Sequence, residues 1–341
     1  MTDSIKTLRD TSMLVSLSIS IWQGKKLDKE ASAEMNKAKG ASDKASRVIK
    51  TLMPANVEHA RVRNVMNRSR VYQKEQTARW SSTDDLLAGK NFDNYMKGIA
   101  ELESEFWTAV RAFVVEFMSF KAQAKLHLGK LYIEDDYPSQ SVLESQFTWK
   151  VDHGKVPEGE DFRVDVLSSA DIAKIQNTIN ADNIKRLDTA VESVYRRVEE
   201  KVEHYRERLD VFDPDKGKQG RPFRDSLTDG LRELIDLVPF VNVANDAELK
   251  KVAARVDAEL LQHTPQELRD DTRLRERQRD KAAKIVEDMQ RRFSHVPSHA
   301  ITPTTTKVAD DDGPGEALKD PAREGGLLGA IYNQESRVRG K

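Results

Sequence analysis

Two stretches of about forty residues carry apolar side chains in steps of three and four, a spacing that commits much of this chain to long helices burying one narrow stripe. The first runs through Phe92, Tyr95, Ile99, Leu102, Phe106, Val110, Phe113, Phe117, Phe120, Ala124, Leu128 and Leu131. The second runs through Ile184, Leu187, Val191, Val194, Val198, Val202, Tyr205, Leu209 and Phe212. A mean step of about 3.5 residues is slightly shorter than the repeat of a free helix, and two helices acquire it when they wrap around each other. The spacing therefore predicts a long antiparallel, coiled-coil-like helical hairpin with arms of roughly 60 Å.

Around these seams the period changes. In LVSLSISIW, Val15, Leu17, Ile19 and Ile21 alternate with Ser16, Ser18 and Ser20, which predicts a half-buried strand over 13–22. Its expected partners are Phe147, Trp149 and Val151, and then Phe162, Val164 and Val166, with Gly154, Pro157 and Gly159 turning the chain between them. The expectation is a three-stranded sheet at the hairpin connection, with Trp149 buried in it. The Ala, Lys and Ser-rich stretch after the first strand favours a loosely docked helix, broken at Gly40 and ended before Pro54. A further helix is expected over about 56–78, followed by a loop in TARWSSTDDLLAGK. Ser168 or Ser169 should start the second arm, and Thr264, Pro265 and Glu267 mark a later helix start. Beyond Phe293, prolines, threonines and aspartates predict a flexible, disordered tail.

The fold class read from these patterns is α+β, mostly α. Residues 1–215 would hold the hairpin and small sheet, 216–294 a C-terminal helical region, and 295–341 the tail. Composition agrees with thin helical layers: 38% of residues are hydrophobic and 33% charged, which is little apolar material for one thick core. The 56 basic and 57 acidic residues nearly cancel, so any attraction to nucleic acid must be local. The chain has no cysteine, which removes disulfides and thiolate chemistry. With no apolar run of bilayer length and no leader-like core at the start, the expectation is a cytoplasmic protein with no membrane contact.

The stretches LVSLSISIWQGKKLDKEAS, ARWSSTDDLL, GKLYIEDDYPSQSVLESQFTWKV and VPEGEDFRVDV resemble a family of helical proteins found in bacteriophages and related bacterial loci. The similarity spans about residues 10–295. It implies a phage origin and, as candidate partners, MoxR-type AAA+ ATPases and von Willebrand A-domain proteins. It implies no catalytic residues.

The search for chemistry returns exclusions. The sequence has no phosphate loop, dinucleotide fingerprint, nucleophile elbow or HExxH pair. In Asp213–Lys218 the glycine and Arg224 fall at the wrong places for a calcium loop. His295 and His299 have ligand spacing, but Pro297 interrupts the helix they need. Glu134, Asp135 and Asp136 read as the solvated end of a helix. No cofactor, metal or catalytic residue is assigned, and the protein reads as a non-enzyme.

Two binding surfaces remain. Between residues 37 and 79 eleven basic residues face three acidic ones. Arg61, Arg63, Arg68, Arg70, Lys74 and Arg79 are the candidate nucleic-acid contacts, with Tyr72 and Trp80 as stacking partners. In the tail, Leu327, Leu328, Ile331 and Tyr332 form an apolar island suited to docking on a protein partner. In the first arm, Trp107, Val114 and Met118 widen the apolar face, so a third helix or another subunit should cover that flank. The function expected is a scaffold or adaptor working through helical protein–protein interfaces, a homo-oligomer included. The alternative is a nucleic-acid-binding accessory protein of phage replication or packaging.

Overall fold

The computed structural model describes residues 8–53, 56–212 and 225–293. The chain divides into two compact units. Among the described residues, the larger comprises 8–23, 53–127 and 137–293, and the smaller 24–52 and 128–136.

In the larger unit, strand β1 (Ser12–Ser20) is the organiser. The alternation read from the sequence puts Val15 and Ile19 inside and Ser18 and Ser20 outside. It pairs antiparallel with Thr148–Gly154, in a register that sets Ile19 opposite Trp149 and Leu17 opposite Val151. Trp149 is half-buried rather than fully buried. Among the described residues the sheet has four strands, not three. The other edge of β1 pairs with Asp85–Ala88, which pairs in turn with the two-residue strand Ala78–Arg79.

The segment expected to be a loop is therefore a tight hairpin. The Ser81 hydroxyl forms its tip, accepting from the amides of Thr83 and Asp84 at 3.2 and 2.9 Å and donating to the Asp84 carboxylate at 2.8 Å. Both faces of the strand Asp85–Ala88 are covered. Leu86 lies with Leu8, Trp80 and Val156, and Leu87 with Val15, Tyr95 and Ile99. A four-residue strand buried on both faces shows no period-two signal.

The third strand expected at Phe162, Val164 and Val166 does not form, and Val166 is 90% exposed. Helix side chains instead bond the backbone at the start of this segment and just before it. Gln176 donates to the Phe162 carbonyl at 3.2 Å, Asn180 accepts from the Gly159 amide at 3.0 Å, and Asn183 donates to the Pro157 carbonyl at 2.6 Å. These three amides share one face of the following helix, and they satisfy backbone groups that a ladder would otherwise have to satisfy. A β-carbon at 159 would lie 2.4 Å from the Gln176 carbonyl oxygen, so only glycine passes this close.

The long helices form where the seams predict them. Helix α1 (Lys29–Ala38) belongs to the smaller unit. Helix α2 spans Val57–Gln76 and α3 spans Phe92–Leu128, a length of about 55 Å. Residues Tyr95, Ile99, Leu102, Phe106, Val110, Phe113, Phe117 and Ala124 of α3 are buried. Their cover is local: Phe113 lies against Trp22, His59 and Phe147, and Phe106 against Trp149. After the short helix α4 (Gln140–Ser145), helix α5 runs Ser169–Val211, capped by Ser168 as expected. Its buried residues, from Ala190 to Leu209, share one core with helices α6 (Ser226–Val241), α7 (Ala247–Leu260), α8 (Pro265–Asp270) and α9 (Thr272–Phe293). Thr264 and Glu267 complete the capping box at the start of α8. Seam spacing thus reports that a helix buries a stripe, while the elements that cover it are set by the rest of the chain. The architecture is a mostly-α α+β fold with a small antiparallel sheet. Among the described residues no helix is long and apolar enough to cross a membrane.

His59 sits in the aromatic core beside α3. Its Nε2 lies 2.6 Å from the Trp22 carbonyl, and Arg63 reaches Nδ1 at 3.4 Å, so the ring is held neutral with the proton on Nε2. Burial lowers its pKa from the ordinary value, outweighing the carbonyl contact, and Arg63 adds to the lowering. Below about pH 6.5 the unfolded chain takes up a proton that the folded chain refuses, so stability falls as the medium is acidified from there. In His59→Gln the slope of melting temperature between pH 7 and 5 should be flatter than in the parent. Equal slopes would show that His59 does not carry this dependence.

The smaller unit is held by polar groups. Lys25–Asp28 pairs antiparallel with Val48–Thr51, and α1 lies between them in sequence. Asp28 caps α1 by accepting from the Ala31 amide at 2.9 Å. The helix ends before Gly40, whose φ of +61° is the left-handed region. Buried Asn36 donates to the carbonyls of Asp43 and Ser46 at 3.0 and 3.2 Å, so this helix is docked more firmly than its thin apolar face suggests. At the centre is Lys50, whose side chain is 2% exposed. Its ammonium meets Asp136 at 2.5 Å, Asp28 at 3.3 Å and the Leu131 carbonyl at 3.1 Å, and Lys26 reaches Asp136 at 2.9 Å. Asp136 is therefore a buried ion-pair partner and not part of a solvated helix end. Glu134 accepts from the Tyr132 hydroxyl at 2.6 Å.

Candidate functional site

The six basic candidates are all exposed, five on α2 and Arg79 on the strand after it. Helix α2 buries Val62, Val65, Met66, Ser69 and Gln73 on one face. Helical spacing then sets Arg61 and Arg68 on one border of that face and Arg63, Arg70 and Lys74 on the other. The outer ridge between them carries Ala60, Asn64, Asn67, Val71 and Glu75 and no basic residue. Several of these cations already have partners. Arg68 grips Glu105 through both oxygens at 2.8 and 3.0 Å, Arg70 reaches the Ile19 carbonyl at 3.4 Å, and Arg79 donates to the Ser82 carbonyl at 2.8 Å and lies 3.6 Å from Asp85.

The expected stacking residues are not available to a base. Trp80 is 1% exposed within the sheet core, because the short hairpin folds its indole inward. Tyr72 stacks on Tyr95, and its hydroxyl donates to the Asn94 carbonyl at 3.0 Å. Lys50 leaves the basic surface for the ion cluster of the smaller unit, and Lys37, Lys39, Lys44 and Arg47 belong to that unit as well. The sequence places these charges next to one another, but the fold distributes them over two units and two helix borders. The tail residues Leu327, Leu328, Ile331 and Tyr332 lie outside the described residues, as do Asp213–Lys218, Arg224, His295 and His299.

Beside the end of α2 lies a polar cluster that sequence reading did not find. Gln73 donates to Asp85 at 3.0 Å and accepts from Tyr95 at 2.5 Å, while Asn91 donates to the Gln76 carbonyl at 3.1 Å. Burial pushes the Asp85 carboxyl up against the pull of Gln73 and Arg79. Arg197, from α5, closes the end of α2. Its guanidinium donates to the carbonyls of Lys74, Glu75 and Thr77, the last at 2.8 Å, so it satisfies acceptors that a helix terminus leaves open. Burial draws the Arg197 pKa down to about 10, against the attraction of Asp85, Glu75 and Glu200.

Next to this cap a cleft of about 380 Å³ opens along α5 and α6. Its floor is Gly230, Leu234 and Leu237, and Arg197 itself lines it with Glu75, Glu200, Glu233, Lys201 and His204. A larger cleft of about 650 Å³ lies along α5, α7 and α9, lined by Lys251, Glu248, Arg255, Asp288 and Arg291 among others. Among the described residues no group of three His, Asp or Glu side chains is placed to hold a metal ion.

A different surface lies on α3. Val115, Met118 and Leu126 are 81%, 66% and 88% exposed, and Ala122 is exposed between them. Their steps of three, four and four put them on one stripe, directly opposite the buried seam of Phe106, Phe113, Phe117 and Ala124. Val114 is buried and Trp107 half-buried, so only Met118 of the expected widened flank stands open. No protein-family model, curated protein or solved structure matches this chain.

Proposed function

We propose that this protein is a non-enzymatic scaffold or adaptor that assembles through helical protein–protein interfaces, with the exposed stripe of α3 as the self-association face. One observation carries the reading: α3 presents apolar side chains on two opposite faces, and only one of them is covered among the described residues. An exposed apolar row at seam spacing is suited to another helix.

With Met118 on the edge of the stripe and the exposed Ser119 beside it, the order Val115, Ser119, Ala122, Leu126 reads large, small, small, large. Such an order is self-complementary in an antiparallel pair related by a two-fold axis. Val115 would meet Leu126 of the second copy, and Ser119 would meet Ala122 of the second copy, with the small residues letting the backbones approach. On the borders Glu116 falls near Gln123 and Lys125 near Met118, so no like charges oppose.

The phage origin and an AAA+ ATPase partner rest only on the sequence resemblance. A nucleic-acid role is the weaker reading, since Trp80, Tyr72 and Lys50 are committed elsewhere. Because the chain has no cysteine, a Ser119→Cys/Ala122→Cys variant gives a clean test. Under mild oxidation it should form disulfide-linked dimers, whereas a variant with cysteines at Thr108 and Glu101 should not. Equal cross-linking of both variants, or of neither, would contradict the arrangement.

A further inference from the structure

The charges around the smaller cleft differ from those elsewhere on this face of the protein. In the larger cleft, Lys251 pairs with Glu248 at 2.6 Å, Arg255 with Asp288 at 2.7 Å, and Arg291 with Asp288 at 3.6 Å. Nearby on α5, Arg196 pairs with Glu192 at 2.6 Å, and Gln290 of α9 donates to Glu199 at 2.8 Å. Around the smaller cleft, none of Glu75, Glu200, Glu233 or Lys201 makes a side-chain hydrogen bond or ion pair among the described residues, although Arg197 attracts Glu75 and Glu200 at longer range. The guanidinium of Arg197 donates to the end of α2. Three carboxylates thus line an apolar cleft together with the Lys201 ammonium, His204 and the Arg197 guanidinium, the last already committed to the carbonyls at the end of α2.

Gly230 keeps that floor open. A helix-interior glycine is unfavourable by about 1 kcal/mol relative to alanine, so local helix stability does not explain it. A β-carbon there would sit 3.6 Å from the Lys201 ammonium, an ordinary contact, but a longer side chain would project into the cleft.

We propose that this cleft receives a basic, apolar peptide segment of a partner protein. An apolar side chain of the segment rests on the floor beside Gly230 and Leu237. The adjacent arginine or lysine lies among Glu75, Glu200 and Glu233, and Lys201 donates to a peptide carbonyl. The charge pattern selects this occupant: three carboxylates that hold no ion pair outnumber the one uncommitted ammonium and match a cation, and an apolar floor matches the side chain next to it. An acidic segment would meet three like charges.

The proposal extends the adaptor reading to a partner of defined chemistry, and it stands on residues remote in sequence from the α3 stripe. It is tested in the full chain carrying Val115→Glu, Met118→Glu and Leu126→Glu, so that failure of the stripe cannot imitate failure of the cleft. The probes are two fluorescein-labelled peptides of equal length, one alternating leucine with arginine and the other leucine with glutamate, read by anisotropy at low salt. The basic peptide should bind and the acidic one should not. Glu75→Gln/Glu200→Gln/Glu233→Gln should weaken binding by at least about tenfold. The same change of charge at Glu101, Glu116 and Glu144 should leave it within about twofold.

Gly230→Leu keeps every charge and should abolish binding by filling the floor. If that variant does not fold, Leu237→Gln serves in its place, removing the apolar seat. Equal binding of both peptides, an equal loss in the two glutamate variants, or full binding with the floor blocked would each overturn the proposal.

Discussion

Phe113→Ala should destabilise the larger unit by about 3–5 kcal/mol, the range for removing a buried aromatic ring from a site that cannot collapse. Phe113 is fully buried, with ring contacts to Trp22 at 6.0 Å, His59 at 5.4 Å, Phe117 at 5.9 Å, Phe120 at 6.2 Å and Phe147 at 5.9 Å. Those neighbours come from β1's end, α2, α3 and the approach to the last strand, so no single element can move in to fill the space. Met118→Ala, five residues along the same helix but exposed, should change stability by less than about 0.5 kcal/mol. Urea denaturation checks both. A loss below about 1 kcal/mol for Phe113→Ala would mean that this cluster is not a close-packed core.

The second large effect is in the smaller unit. Lys50→Met should cost about 3–5 kcal/mol locally, because it leaves the Asp28 and Asp136 carboxylates facing each other without their buried cation. Burial lowers the pKa of Lys50, but its hydrogen bonds and charge attraction to Asp136 and Asp28 outweigh that and raise it. Burial likewise pushes Asp136 up, and Lys50 and Lys26 more than offset it and hold the group below the ordinary carboxylate value. Asp28 is lowered by the Ala31 amide first and then, against burial, by Lys50.

The signs set the pH window. The carboxylate contributions are fully present above the ordinary value of 3.8 and are lost as pH falls through the lower folded values. The lysine contribution is present below 10.5 and is lost as pH rises through the higher folded value. Hydrogen exchange resolves the effect by segment. In Lys50→Met, amides in Lys25–Asp28 and Val48–Thr51 should exchange faster, while those around Phe113 keep their protection. Adding Asp28→Asn and Asp136→Asn should restore part of the loss. Unchanged exchange in the two strands would rule out a structural role for the ion cluster.

These two sites show what a sequence makes legible. The α3 seam was readable because helix periodicity is local: every third or fourth residue is apolar whatever lies opposite. The β1 alternation and its pairing with Trp149 and Val151 were readable for the same reason, as were the caps at Ser168 and Thr264. Lys50 was not readable, since nothing in VIKT distinguishes a buried lysine from a surface one until Asp28 and Asp136 arrive from elsewhere. The false third strand has a similar origin. Phe162, Val164 and Val166 have the right alternation, but Gln176 takes the Phe162 carbonyl while Asn180 and Asn183 hold the backbone just before it at Gly159 and Pro157, and amides at helical spacing carry no label for that task.

The basic region failed in another way. Counting charges along residues 37–79 ignores which face each one occupies, and the fold divides them between two units and two borders of α2. The cleft could not be foreseen, since its rim comes from α2, α5 and α6. The one signal was Gly230 inside a helical pattern, a residue that local propensity does not favour. The α3 stripe was partly visible in Met118, but its exposure became clear only once the opposite face was seen to be filled.

The most direct test of the scaffold reading is the molar mass of the chain by light scattering as concentration rises from about 10 to about 500 μM, a range suited to a small helix–helix contact. The parent should move from monomer toward twice the monomer mass. The Val115→Glu/Met118→Glu/Leu126→Glu variant should remain monomeric with an unchanged melting temperature, because those side chains touch no core. A parent that stays monomeric throughout, or a variant that associates as the parent does, would contradict assembly through the exposed face of α3.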